Sequence, residues 1–193
     1  MAGRKQFDVD TAVDQAMRVF WEHGYAEASM SRLLEATGLG RGSLYATFGG
    51  KKELFERSLR LYVATFGTAA KDAGREAGSV DPATATEGFL TTTLQRMIDP
   101  SVPGGCLISQ SAAQLPDLEP SSRDLVRALL AGQRAYIETV LSDAGAPPAL
   151  AAELAPFVSA VNQGLTVMHR AGATPEELRL VIRSTRDAVA ART

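Results

Sequence analysis

The 193-residue chain has one cysteine, two histidines and one tryptophan. A single cysteine excludes an internal disulfide framework and suits a reducing cytoplasm. His23 and His169 have no ligand cluster in sequence, so no metal is expected. His23, beside Gly24, is expected to cap a helix C-terminus. No secretory core follows Met1, and there is no run of about 18 apolar residues, so no spanning helix is expected. Paired His–carboxylate motifs and a glycine-rich phosphate loop after a strand are also missing. We therefore expect neither an enzyme nor a cofactor. Positive charge is scarce too. The net charge is −2, and residues 1–60 carry nine Lys and Arg against eight Asp and Glu. A nucleic-acid partner would have to be held by a few placed cations rather than a broad field.

An apolar content of 45% permits a real core. No sustained period-two pattern and no internal repeat appear, so the expected class is all-α. The most informative stretch is Ser29 to Leu54. Ser29 is a suitable N-cap. Met30, Leu33 and Leu34 share a helix face. Gly38 suits a sharp turn and Leu39 an apolar plug. A second short helix from Arg41 to Phe48 turns Leu44 and Phe48 inward. Arg41, Ser43, Tyr45 and Thr47 are left outward. Lys51 opens a third helix whose N-terminus attracts an anion. Two short helices around a tight turn form the layout of a helix-turn-helix DNA reader. Arginine pairs with guanine edges and serine with base edges or phosphate, while Gly42 lets backbone approach the groove.

The preceding helix, from about Asp10 to His23, carries Val13, Met17 and Phe20 as its apolar stripe and ends at Gly24. Trp21 and Tyr25 read as packing residues. Gly3-Arg4-Lys5 reads equally as a minor-groove arm or as a solvated terminus.

Together, Gly24-Tyr25, Ser29-Met30, Leu33, Gly38-Leu39, Gly42-Ser43-Leu44-Tyr45, Phe48, Lys51 and Leu54 resemble the N-terminal signature of the TetR/AcrR family of transcriptional regulators, over roughly residues 8 to 60. The resemblance implies Arg41, Gly42 and Ser43 at base edges. It implies Ser29, Ser31, Tyr45, Thr47 and Lys51 near phosphates of double-stranded operator DNA. The sequence departs from the family pattern at Gly40, where a hydroxyl-bearing cap is usual.

Helices are also expected over 51–77, 82–98, 106–115, 121–144, 148–171 and 175–191. Breakers lie at Gly74, Gly78 and Pro82, between Asp99 and Gly105, and at Pro116. Pro156 is expected to kink or delay its helix. The division expected is residues 1–50 as DNA-binding domain and 51–193 as effector-binding and dimerisation domain. By resemblance, the middle helices hold a small-molecule effector and the last two pair in a homodimer. Candidate lining residues are Phe66, Phe89, Met97, Cys106, Gln110, Gln114, Tyr136, Asn162, Gln163 and His169, with Leu107, Ser111 and Met168 beside them. The expected function is a cytoplasmic repressor released from its operator by a ligand. Two alternatives stand beside it: a thiol sensor working through Cys106 at a helix start, and a helical interaction module that does not bind DNA.

Overall fold

A computed structural model describes residues 8–67 and 81–193. The basic arm and the expected breakers at Gly74 and Gly78 lie outside the described residues, as does the far part of the helix expected to reach Ala77. Among the described residues there are nine α-helices and no strand.

Helix α1 (Val9–Glu27) starts where the Asp8 carboxylate accepts from the Asp10 N–H and the Thr11 hydroxyl, at 3.0 and 2.7 Å. It leaves helical geometry at Gly24, whose φ of 78° favours glycine. The two short helices follow: α2 (Met30–Thr37) and α3 (Arg41–Phe48). Helix α4 (Lys51–Tyr62) passes directly into a π-helical turn at Val63–Gly67. Beyond the undescribed segment come α5 (Pro82–Met97) and α6 (Leu107–Ala113). A 3-10 turn at Leu115–Asp117 leads to α7 (Pro120–Asp143). The chain closes with α8 (Pro148–Arg170) and α9 (Pro175–Ala190). Pro156 lies inside α8 and does not delay its start. The helix begins well upstream, with Pro148 in its first turn, where a missing N–H costs nothing. Helix α9 is nucleated by a capping box, in which Thr174 and Glu177 exchange side-chain and backbone bonds.

The buried apolar residues form two cores. One joins α1 to α4 with Cys106, Leu107 and Ile108 of the α6 start and Val126 of α7. Phe20, Trp21, Phe55 and Leu59 are fully buried in it. The other lies between α5, the second half of α7, α8 and α9. Helix α4 therefore packs on α1 as part of the N-terminal core, while its far end reaches the helices behind. Burying each large side chain contributes roughly 1.5–3 kcal/mol. The Phe20–Phe55 and Trp21–Tyr62 ring pairs, with centroids 5.0 and 4.9 Å apart, add directional packing.

Candidate DNA-binding face and internal cavity

The turn between α2 and α3 follows from three residues. Ser29 caps α2 by accepting from the Arg32 N–H at 3.2 Å. Gly38 takes a left-handed conformation, with φ 64°, and ends α2. Leu39 is 8% exposed and pins the turn to the N-terminal core. Helix α3 then buries only Leu44 and Phe48. Arg41, Gly42, Ser43 and Tyr45 are exposed and Thr47 is half-buried. Tyr45, a large ring, is 49% exposed with no apolar reason to be so. Gly40 occupies the α3 cap and supplies no side-chain bond. Ser29 and Ser31 are exposed at the start of α2.

Lys51 sits in the first turn of α4, but its ammonium folds back. It lies 4.5 Å from the centroid of the Tyr25 ring and donates to the Ala26 carbonyl at 3.4 Å. Partial burial lowers its pKa from the ordinary lysine value, opposed by the nearby Glu27. His23 is not a helix cap in the structure. Its Nε2 lies 3.2 Å from an Arg32 guanidinium nitrogen, which makes the ring nitrogen the acceptor.

A cavity of about 230 Å³ lies between α4 with its π turn, α5, the α6 start and α7. Of the expected lining residues it collects Phe66, Phe89, Cys106 and Tyr136. Three polar atoms on residues lining this space are buried without a hydrogen bond: Arg96 Nε, Gln133 Oε1 and the Tyr62 hydroxyl. The Tyr62 hydroxyl sits beside the Cys106 thiol and the Leu107 backbone without good bonding geometry; burial first, and then Cys106, push its pKa well above the ordinary value. It is therefore a permanent O–H donor at neutral pH. An unpaired buried group of this kind costs about 1–3 kcal/mol. Thr93, also in the wall, is different because its hydroxyl donates to the Phe89 carbonyl at 3.2 Å.

The other expected lining residues lie elsewhere, for local reasons. Met97 is 2% exposed in the second core, and Met168 packs against that core. Leu107 is fully buried in the N-terminal core, and the Ser111 hydroxyl bonds the Leu107 carbonyl. Gln110 accepts from Arg170 of α8 at 2.8 Å, and Gln114 accepts from the Tyr25 N–H at 2.8 Å. Asn162 is fully buried in α8 with both amide atoms unpartnered, outside the cavity wall. Gln163 is half-buried on the same helix. His169 borders a separate polar groove with Arg18, Ser101 and Arg170. Sequence reasoning missed Tyr62, Arg96 and Gln133 in the wall. Helical spacing carried a signal: Arg96 falls seven residues after Phe89, and Gln133 three before Tyr136.

A glycine-turn helix pair with an exposed polar face, joined by one helix to a cavity in a larger helical body, defines a ligand-responsive DNA-binding regulator. The family model for bacterial regulatory proteins of the tetR family matches residues 12–57, and the tetracyclin repressor-like C-terminal domain matches residues 82–185. The chain is 32% identical over 192 residues to the HTH-type transcriptional repressor ComR of Escherichia coli (strain K12), covering 94% of this chain and 88% of that protein. Among solved structures it is similar to the TetR family transcriptional regulator CifR, in a cysteine-mutant form complexed with 26-bp double-strand operator DNA. That likeness has a TM-score of 0.81 and 30% identity, covering 95% of this chain and 98% of that one. The chain belongs to the TetR family of transcriptional regulators.

Proposed function

We propose that this chain is a homodimeric repressor that holds a two-fold operator and is released by a small molecule bound in the cavity between α4 and α7. Residues 1–50 are the DNA-binding domain, and residues 51–193 bind effector and dimerise. Arg41, Gly42 and Ser43 read base edges. Ser29, Ser31, Tyr45, Thr47 and Lys51 meet phosphates. Its place of work is the cytoplasm, where operator DNA is found.

One observation carries the release step. Tyr62 and Phe66 both wall the cavity and both meet Trp21 of α1 edge-on, with centroids 4.9 and 5.2 Å from it. A ligand that displaces these rings moves the helix on which the reader is packed. It shifts the equilibrium only through its different affinity for the DNA-competent and released states. The dimer reading is supported by apolar side chains left bare on the last two helices: Phe157 at 41%, Val167 at 67% and Leu180 at 51% exposure. One reader helix sees a half-site, and half-sites about 34–36 Å apart require two-fold symmetry.

The test is a gel-shift titration with DNA from upstream of the chain's own gene. Sequence-specific binding with Kd of roughly 10⁻⁸–10⁻¹¹ M, weakening with salt, is expected. Binding that fails to distinguish that DNA from random duplex would overturn the reading. CifR, which has a similar fold, forms a complex with operator DNA.

A further inference from the structure

We propose that the effector is a small monocarboxylate with an apolar body and one hydrogen-bond donor apart from the acid, held by Arg96. The proposal rests on the reading of the cavity as the effector site and adds the chemical class of its occupant.

The cavity wall is largely apolar but leaves several polar atoms without partners. Most of the lining is aromatic or aliphatic, including Phe66, Phe89, Leu129 and Tyr136. Such a wall accepts an apolar body. Arg96 comes from the last turn of α5, and its guanidinium lies over the Tyr62 ring at 5.7 Å. Its Nε is buried and unbonded, and no carboxylate of the described residues pairs with it. Guanidinium is always charged and presents a planar fork that matches a carboxylate. The Tyr62 hydroxyl, close enough to Arg96 to feel its charge, is a second donor without a partner. Two donors on neighbouring wall residues, one of them cationic, favour an anionic acceptor. One guanidinium balances one negative charge, so a monoanion fits better than a phosphate dianion. Gln133 Oε1 is an unfilled acceptor on the opposite helix, α7. It asks for an O–H or N–H on the ligand. The volume of about 230 Å³ falls below the roughly 300–1,000 Å³ of drug-sized sites, so the acid is small.

The experiment uses the full chain and its only tryptophan. Trp21 packs on Tyr62 and Phe66 and so reports on the cavity by fluorescence. Benzoate, 4-hydroxybenzoate and hexanoate are titrated against benzamide and benzyl alcohol, in the unaltered chain and in Arg96→Gln, Arg96→Lys and Gln133→Leu. Circular dichroism checks that each variant is folded. The carboxylates should bind saturably and about tenfold or more tighter than the neutral probes. Arg96→Gln should erase that preference, whereas Arg96→Lys keeps part of it. Gln133→Leu should remove only the advantage of 4-hydroxybenzoate over benzoate. Neutral probes binding as tightly as acids, carboxylate binding unchanged in Arg96→Gln, or no saturable binding by any probe would each overturn the proposal. A parallel gel shift separates the two readings. Carboxylates that bind yet leave the operator complex intact uphold the class of ligand and sink the release step. Neutral probes that alone bind and release DNA do the reverse.

Discussion

The backbone N–H of Tyr25, at the end of α1, donates to Gln114 Oε1 beyond α6 at 2.8 Å, across 89 positions of sequence. The same amide group fills the space above Gly24, where an added Cβ would lie 2.5 Å from Gln114 Nε2. One side chain from the C-terminal body thus holds the break in the reader's first helix.

Removing that hold has a defined cost. Gln114→Ala leaves the Tyr25 N–H without its partner and should destabilise the fold by about 1–3 kcal/mol. Gly24→Ala should cost at least as much, because φ 78° is strained for alanine and its methyl group meets the amide. The double substitution should cost less than the two together, since the collision vanishes while the strain remains. Urea unfolding of the three variants measures this. Strict additivity would mean that the amide and the glycine do not share a site.

How much of this was legible in sequence differs between the two ends. The reader is local. Ser29, Gly38, Leu39, Leu44 and Phe48 specify caps, turn and inward face within a few turns of chain, and the structure keeps them. The cavity is not local. Gln110 and Gln114 sit one turn apart on adjoining segments, yet one bonds Arg170 of α8 and the other Tyr25 of α1. Which helix each amide meets depends on packing between distant segments, and no spacing rule encodes it. Arg96 carried no signal of its own, because a lone arginine near a helix C-terminus is usually solvated there. It is half-buried, with its guanidinium over Tyr62 of α4 in a wall shared with Gln133 of α7.

A second joint between reader and body should respond to pH. Glu56 of α4 accepts from the hydroxyls of Ser121 and Ser122 on α7, at 2.8 and 3.0 Å. Burial raises its pKa, but these two bonds, with Lys52 and Arg60, outweigh it and hold the carboxyl below its ordinary 4.5. A depressed folded pKa means stability that is present above the ordinary value and lost as pH falls through the folded one. The urea midpoint of the unaltered chain should therefore exceed that of Glu56→Gln at pH 6. The gap should close as pH is taken below the ordinary carboxylate range. A pH-independent gap would assign the effect to packing instead of charge.

On the DNA side, Arg41 and Lys51 should behave differently. Arg41→Ala should relax discrimination at one base pair of each half-site, by about 1–3 kcal/mol. Lys51→Ala should weaken binding to every sequence and reduce the salt slope by about one per protomer. Because Lys51 also rests on Tyr25 and bonds Ala26, its loss should lower thermal stability slightly as well. Filter binding on mutated operators over a range of salt distinguishes them. A salt slope unchanged by Lys51→Ala would remove that residue from the phosphate contacts.

The dimer surface gives the last test. Phe157 on α8 and Leu180 on α9 line a shallow apolar groove with Val161 and Val181, yet both are largely exposed in a single chain, at 41% and 51%. Their burial would therefore come from a second copy, and a charge placed there should damage assembly without opening the monomer core. Phe157→Asp with Leu180→Asp should sediment as a monomer and keep its helical circular dichroism. Operator affinity should then fall by far more than removal of one phosphate contact explains, because a monomer holds one half-site with one set of its few cations. With only nine Lys and Arg against eight acids in residues 1–60, little nonspecific attraction remains to compensate. If the doubly charged variant still sediments as a dimer, the pairing surface lies elsewhere on the chain, and the exposed apolar side chains of α8 and α9 need another explanation.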